Sequence, residues 1–225
     1  RIGKTECQNS AVKESKGEIV IFSDANSLYE EDAVKMLIRN FTTSKVGCVG
    51  GRLNYATKGG AAQSESLYLK YESTIKSLES KACSSIGVDG GIYAIRREAF
   101  IPLDGDVISD FVEPVLIYKN GWKVRYEKEA KIIEKMSGSM ESSIARRVRI
   151  VTRALHSLKY IKDMLNPFRW RFFSFELISH KLLRWLQPFF FIAIFISNIF
   201  LINKFLFLIF FLLQVLLYIC SVLGL

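Results

Sequence analysis

Apolar and polar positions divide the chain into two unlike parts. Up to about Leu182, short apolar runs alternate with charged stretches of helical period; beyond it the sequence is almost wholly apolar. Ile19-Val20-Ile21-Phe22 predicts a buried parallel strand that ends on Asp24. Residues 29–41 predict a helix, with Val34, Leu37, Ile38 and Phe41 on one face and Glu30, Glu31 and Asp32 in its first turn, where the helix dipole favours acids. A strand over 46–49 closes on Gly50-Gly51, and a helix over 65–78 carries Leu67, Tyr68, Tyr71, Ile75 and Leu78 at helical spacing. A strand over 92–95 follows the turn Asp89-Gly90-Gly91, and a helix over 111–119 stops at Asn120-Gly121. Trp122, Val124 and Tyr126 then alternate as in a strand. Strands interleaved with helices predict an α/β domain with a mostly parallel sheet, filling residues 1–140.

The pattern changes from Ile144. Ile144, Val148, Val151, Leu155, Leu158, Ile161 and Leu165 recur every three or four residues, and Arg146, Arg147, Arg149, Arg153, Lys159 and Lys162 fill much of the rest. This is a basic amphipathic helix of the kind that lies on a membrane surface or packs on its own domain, and Pro167 should stop it. Phe168, Trp170, Phe172, Phe173 and Phe175, interleaved with Arg169 and Arg171, suit a headgroup layer and complete an interfacial segment over 141–184. Two apolar runs, about 185–202 and 205–223, contain no charged residue and predict two transmembrane helices over 185–225. Between Arg146 and Arg184 inclusive stand ten Lys or Arg against Asp163 and Glu176. The positive-inside rule therefore predicts that this side, and the α/β domain with it, faces the cytoplasm at the inner or plasma membrane.

Charge and composition agree with that division. A net charge of +9 in a chain that is 50% hydrophobic is unusual for a soluble protein. The positive charge gathers beside the apolar runs and not on an aromatic-bearing sheet, which argues against nucleic acid as a partner. Cys7, Cys48, Cys83 and Cys220 form no C-x-x-C pair and predict free thiols. His156 and His180 lack a second ligand at metal spacing and read as structural or interfacial. The opening at Arg1 and the ending at Leu225 suggest a piece of a longer protein.

Candidate chemistry starts at Asp24-Ala25-Asn26. A carboxylate at the exit of a buried strand sits where open α/β sheets bind ligands, and two oxygen side chains two residues apart can face one hard cation. The same sequence also suits a turn or helix cap. Asp110, ahead of the predicted helix, suits either an N-cap or a general base.

Several stretches occur in a telling order. They are Arg1-Ile2-Gly3-Lys4 with Asn9 and Ala11, Lys16-Gly17-Glu18-Ile19-Val20 and Phe22-Ser23-Asp24-Ala25-Asn26. Gly90-Gly91 with Tyr93-Ala94-Ile95-Arg96-Arg97 follows, then Ile108-Ser109-Asp110-Phe111-Val112-Glu113-Pro114. Gly121-Trp122, Tyr126-Glu127, Ala130 and Glu134 come next, before an Arg-rich helix. The series resembles the family 2 inverting glycosyltransferases of the GT-A fold, a group that includes cellulose- and hyaluronan-synthase-type membrane enzymes. The resemblance covers residues 1–153 and implies a partial GT-A domain whose N-terminal nucleotide-binding part lies outside this chain.

The resemblance also implies roles. Asp24 would hold Mg or Mn against the diphosphate of a nucleotide-sugar donor (a UDP-sugar by likeness), with Asn26 in place of the usual second Asp. Lys4 matches a basic position near the nucleotide. Asp110 matches the catalytic base of an inverting hexosyltransferase, with Ser109 where many relatives carry another acid. Gly90 and Gly91 let the backbone approach the acceptor or form only a turn. Arg146, Arg147 and Arg149 fall where processive relatives carry Gln-x-x-Arg-Trp, here Ser143-Ile144-Ala145-Arg146-Arg147; Arg146 would neutralise the departing diphosphate, or these arginines face anionic membrane lipids. The acceptor would be a saccharide or a lipid-linked sugar, and this portion alone is expected to be inactive. The competing expectation is a catalytically degenerate relative that acts as a binding or scaffold protein.

Overall fold

The computed structural model describes residues 3–56, 60–135 and 140–223; Arg1, Ile2 and Leu225 lie outside them. The chain forms two units, residues 1–177 and 178–225.

In the first unit, α1 (Lys4–Glu14) leads into β1 (Ile19–Ser23), then β2 (Leu28–Tyr29), α2 (Ala33–Ile38), β3 (Val46–Ala56), α3 (Gly60–Ala82) and β4 (Ile92–Arg96). α4 (Ser109–Lys119), β5 (Lys123–Lys135), α5 (Met140–Ile161) and α6 (Pro167–Leu177) follow. The five strands form one sheet in the order β1-β4-β3-β5-β2. The expectation of a mostly parallel sheet is corrected: β3 and β5 pair in parallel, whereas β1–β4, β4–β3 and β5–β2 are antiparallel. The difference has a physical cause. A continuous apolar run such as Ile92–Ile95 reports burial on both faces, not direction. Tyr93 and Ile95 pack with Phe22, Cys48, Ile117 and Val124 on one face, while Ile92 and Ala94 pack with Leu37, Phe41, Val49 and Ile132 on the other.

The direction of β4 matters for the site. Because β4 runs against β1, Ile92 pairs with Ser23, and the turn that enters β4 lies beside the end of β1. A parallel β4 would have sent Gly90-Gly91 to the opposite edge of the sheet.

Other boundaries shift as well. The helix expected over 29–41 begins only at Ala33, because Leu28 and Tyr29 pair with Ile133 and Ile132 at the sheet edge; it then tightens into a 3-10 turn at Arg39–Thr42. Val34, expected on the buried face, is exposed. Strand β3 continues through Gly50 and Gly51 instead of closing there. A Cβ on Gly50 would stand 2.7 Å from Val88, and one on Gly51 2.6 Å from the Ala130 carbonyl, so this strand needs glycine to lie flat against its neighbours. On α3, Leu67, Tyr68, Tyr71 and Leu78 are exposed. Pro167 opens α6 rather than stopping α5, which already ends at Ile161. Phe173 and Leu177 are buried, and Phe173 stacks on Tyr118 of α4 at 4.0 Å; Phe168, Phe172 and Phe175 stay exposed.

The second unit contains α7 (Leu183–Phe200) and α8 (Phe205–Leu223). By length and composition, the helical run Pro167–Phe200 is sufficient to cross a membrane, and Phe205–Ser221 is apolar but shorter. Polar groups between α7 and α8 satisfy one another. Asn198 donates to Gln214 Oε1 at 3.1 Å, and Gln214 and Tyr218 donate to the Phe191 carbonyl at 3.0 and 3.2 Å. Unpaired polar groups would be costly in an apolar setting, so these bonds favour a closed hairpin.

Candidate active site

The edge where β1 ends and β4 begins gathers Lys4, Asp24, Gly90, Gly91 and Asp110. Lys4, in the first turn of α1, donates to Asp24 Oδ1 at 2.6 Å and to the Gly90 carbonyl at 3.3 Å. A Cβ on Gly90 would stand 2.6 Å from Asp110 Oδ2 and 3.1 Å from Lys4 Nζ. The base candidate and the ammonium therefore close over Gly90 from two sides, and only hydrogen fits beneath them. Lys4, Asp24 and Asp110, far apart in sequence, come together around Gly90.

Gly91 is crowded in the same way: a Cβ there would stand 2.6 Å from Glu134 Oε1 and 2.7 Å from Ser27 Oγ. Ser27 donates to Glu134 at 2.6 Å, and the Tyr29 hydroxyl donates to the Gly91 carbonyl at 3.3 Å. Behind the turn, Lys76 of α3 holds Asp89 at 2.7 Å in a largely buried ion pair. Burial alone would depress the Lys76 pKa, but the adjacent Asp89 carboxylate overrides it and raises the value.

Asp110 is not a helix cap. Ile108 is the N-cap residue of α4, and Asp110 lies in the first turn, where the helix dipole favours an anion. Four residues on, Pro114 has no N–H to offer the Asp110 carbonyl, and the Val88 amide takes that acceptor at 3.0 Å. Pro114 thus frees the backbone of the base candidate to bond the turn that carries Gly90. One helical turn after Asp110, Glu113 is buried. Desolvation pushes its carboxyl up to about 8; the Ile101 amide and the Tyr93 hydroxyl oppose this, and the nearby Asp110 charge adds to it.

The remaining candidates are placed differently. Asn26 is exposed on the turn after Asp24. Arg146 is half-buried and Arg147 exposed near the start of α5, whose described contacts with the loop before Asp110 come further along, from Arg153, His156, Ser157 and Tyr160. His156, read as structural, bonds Asp106 at 2.7 Å. No group of three His, Cys, Asp or Glu suited to a metal occurs among the described residues. Asp24 and Asn26 offer one carboxylate and one amide oxygen on an exposed turn. That hard-oxygen set suits a divalent cation shared with a bound diphosphate and does not make an all-protein cage.

Comparison with known proteins decides the fold. A mannosyltransferase from Pyrobaculum calidifontis, solved with GDP-Man and Mn2+, superposes over 99% of this chain with a TM-score of 0.63 at 18% identity. The fold is the GT-A type. The match spans 66% of that protein. Weaker likenesses include a glucosyl-3-phosphoglycerate synthase from Mycobacterium tuberculosis (TM-score 0.45, 17% identity, 71% of this chain and 55% of that one). Another is a mannosyl-3-phosphoglycerate synthase from Rubrobacter xylanophilus (0.43, 13%, 72% and 52%). No family model and no curated protein sequence matches the chain. Three features of the site are not foreseen from sequence: Ser27, the pairing of Lys76 with Asp89, and the role of Pro114. Only the last leaves a local signal, a proline four residues after a candidate acid.

Proposed function

We propose that this GT-A chain belongs to a membrane-attached glycosyltransferase that moves a sugar from a nucleotide-sugar donor to a hydroxyl acceptor with inversion. The observation that carries the reading is the meeting of Asp24, Lys4 and Asp110 around Gly90. Asp110 accepts the proton of the acceptor hydroxyl while its oxygen attacks the anomeric carbon. The bond to the nucleoside diphosphate breaks on the opposite face, and the diphosphate leaves with the bonding pair. A positioned base contributes about 10²–10⁴-fold to such a step. Lys4 supplies positive charge beside the departing phosphates, where a cation lowers the cost of developing charge. A Mg or Mn ion held by Asp24 and Asn26 would add Lewis-acid neutralisation of the same phosphates.

Attachment to the membrane is supported by the apolar helices α7 and α8 and by the basic, partly apolar exposed surface of α5, which suits anionic lipid. The cytoplasmic face follows from the excess of Lys and Arg ahead of the apolar runs. The acceptor is a saccharide or a lipid-linked sugar presented at that surface.

The test uses the full-length protein carrying this chain, reconstituted in lipid with Mn2+ and a panel of UDP- and GDP-sugars. The expected result is release of nucleoside diphosphate, lost together with nucleotide binding in Asp24→Ala. Absence of both binding and release across the panel in the unaltered protein would favour the degenerate, scaffold reading, to which Asn26 in place of a second carboxylate lends weight.

A further inference from the structure

The loop before α4 leads into the first helical turn, which carries Asp110, and it lies outside the sheet. Leu103 and Val107 are buried. Asn9 of α1 brackets Leu103, donating to its carbonyl at 2.8 Å and accepting from its amide at 3.3 Å, and the Val107 amide donates to the Asp104 carbonyl at 3.0 Å. The carbonyls from Gly105 to Val107 are held from α5. Arg153 spreads its guanidinium over three consecutive carbonyls, with Nη2 3.1 Å from Gly105, Nε 3.2 Å from Asp106 and Nη2 3.4 Å from Val107. The following turns repeat the grip. His156 meets Asp106 at 2.7 Å, the Ser157 hydroxyl accepts the Ile108 amide at 3.4 Å, and Tyr160 donates to Asp104 at 2.6 Å. On the other side, Thr5, next to Lys4 in α1, donates to the Val107 carbonyl at 2.9 Å.

We infer that Arg153 is a positioning residue for Asp110, and that α5 is the strut that sets the first turn of α4. The inference rests on the proposed role of Asp110 as base. The geometry explains why the fixing must be tight. Ile108 is the N-cap of α4, so wherever its backbone stands the first turn follows, and Asp110 Oδ2 comes within 2.6 Å of where a Gly90 Cβ would be. The packing over Gly90 has no slack, and a misplacement of about 1 Å can cost about 10²-fold in rate. The chemistry also explains the choice of arginine. Its planar fork presents several fixed donors to neighbouring acceptors, whereas the single ammonium of lysine cannot span three carbonyls with the same geometry.

The experiment compares Arg153→Ala, Arg153→Lys and Lys35→Ala in the reconstituted full-length protein. Lys35 is an exposed residue of α2, outside the proposed site and lipid surface, and serves as the control. Amide exchange over residues 104–113, turnover of the donor active in the panel above, and KM for that donor are measured together. Arg153→Ala should speed exchange at residues 107–112 at least about tenfold and lower kcat by about 10²-fold, with KM changed less than about twofold. Arg153→Lys should fall between it and the unaltered protein, and it keeps the test open if the alanine variant does not fold. Lys35→Ala should match the unaltered protein. Unchanged exchange, or faster exchange with unchanged kcat, in either Arg153 variant would overturn the inference. Should Asp110→Asn itself retain full turnover, the base assignment fails instead, and the exchange data still judge the strut.

Discussion

The Val88 amide donates to the Asp110 carbonyl at 3.0 Å, a bond that exists because Pro114 has no N–H to occupy that acceptor. The bond joins the first turn of α4 to the turn entering β4, so the backbone of one candidate residue is tied to the glycines beneath it. Pro114→Ala restores a helical donor and removes a residue unfavourable in a helix interior by about 3 kcal/mol relative to alanine. Stability should hold or rise while turnover falls and the Val88 amide exchanges faster. Thermal unfolding, exchange and turnover on one sample check all three; unchanged turnover would show that this tie does not matter for the chemistry.

Gly90→Ala should be nearly silent for folding and severe for activity. The backbone there is not left-handed, so the penalty is the collision with Asp110 and Lys4. A loss of kcat of about tenfold or more, with a Tm close to that of the unaltered protein, is expected. Gly121→Ala gives the reverse. Its φ of +90 strains any side chain although nothing lies within 4 Å, so it should cost about 1 kcal/mol of stability and leave kcat alone.

The Lys76–Asp89 pair supports the turn from behind. Removing one member of a buried pair leaves an uncompensated charge, at a cost of about 3–5 kcal/mol. Lys76→Met alone should therefore destabilise markedly, and the double variant Lys76→Met with Asp89→Asn should recover much of the loss. Denaturant titration of the four members of this cycle measures the coupling, and a double variant no better than the single would contradict it.

Glu113 makes stability fall as pH rises. Its folded-state carboxyl titrates near 8, above the ordinary 4.5, so the folded chain keeps a proton that the unfolded chain releases. The associated stability is fully present below about pH 4.5 and is lost as pH rises to about 8, on the order of a few kcal/mol. Glu113→Gln carries no titrating proton, so its stability relative to the unaltered protein should improve from about pH 5 to about pH 8. Parallel curves for the two proteins would mean that Glu113 ionises normally.

Local pattern carries the helix–strand order a long way, and it locates the candidate acids at element boundaries without fixing the sheet. Asp24 after an apolar run and Asp110 before a helix are both legible, because each sits where an element boundary exposes a carboxylate. Strand direction is not legible, since Ile92–Ile95 is buried on both faces whichever way it runs. The start of α2 escapes local pattern because Leu28 and Tyr29 find their hydrogen-bond partners on β5, a distant segment of the chain. Ser27 with Glu134 and Lys76 with Asp89 are invisible for the same reason: their meaning arises only once separate segments are brought together. Phe173 reads as a membrane-surface aromatic in sequence and packs on Tyr118 in the fold.

The decisive comparison is donor turnover against nucleotide binding in Asp110→Asn, a change that keeps shape and removes the proton acceptor. Turnover should drop by about 10²–10⁴-fold while nucleotide affinity stays within about twofold. An asparagine variant that transfers sugar at the normal rate would show that the carboxylate over Gly90 takes no proton from the acceptor.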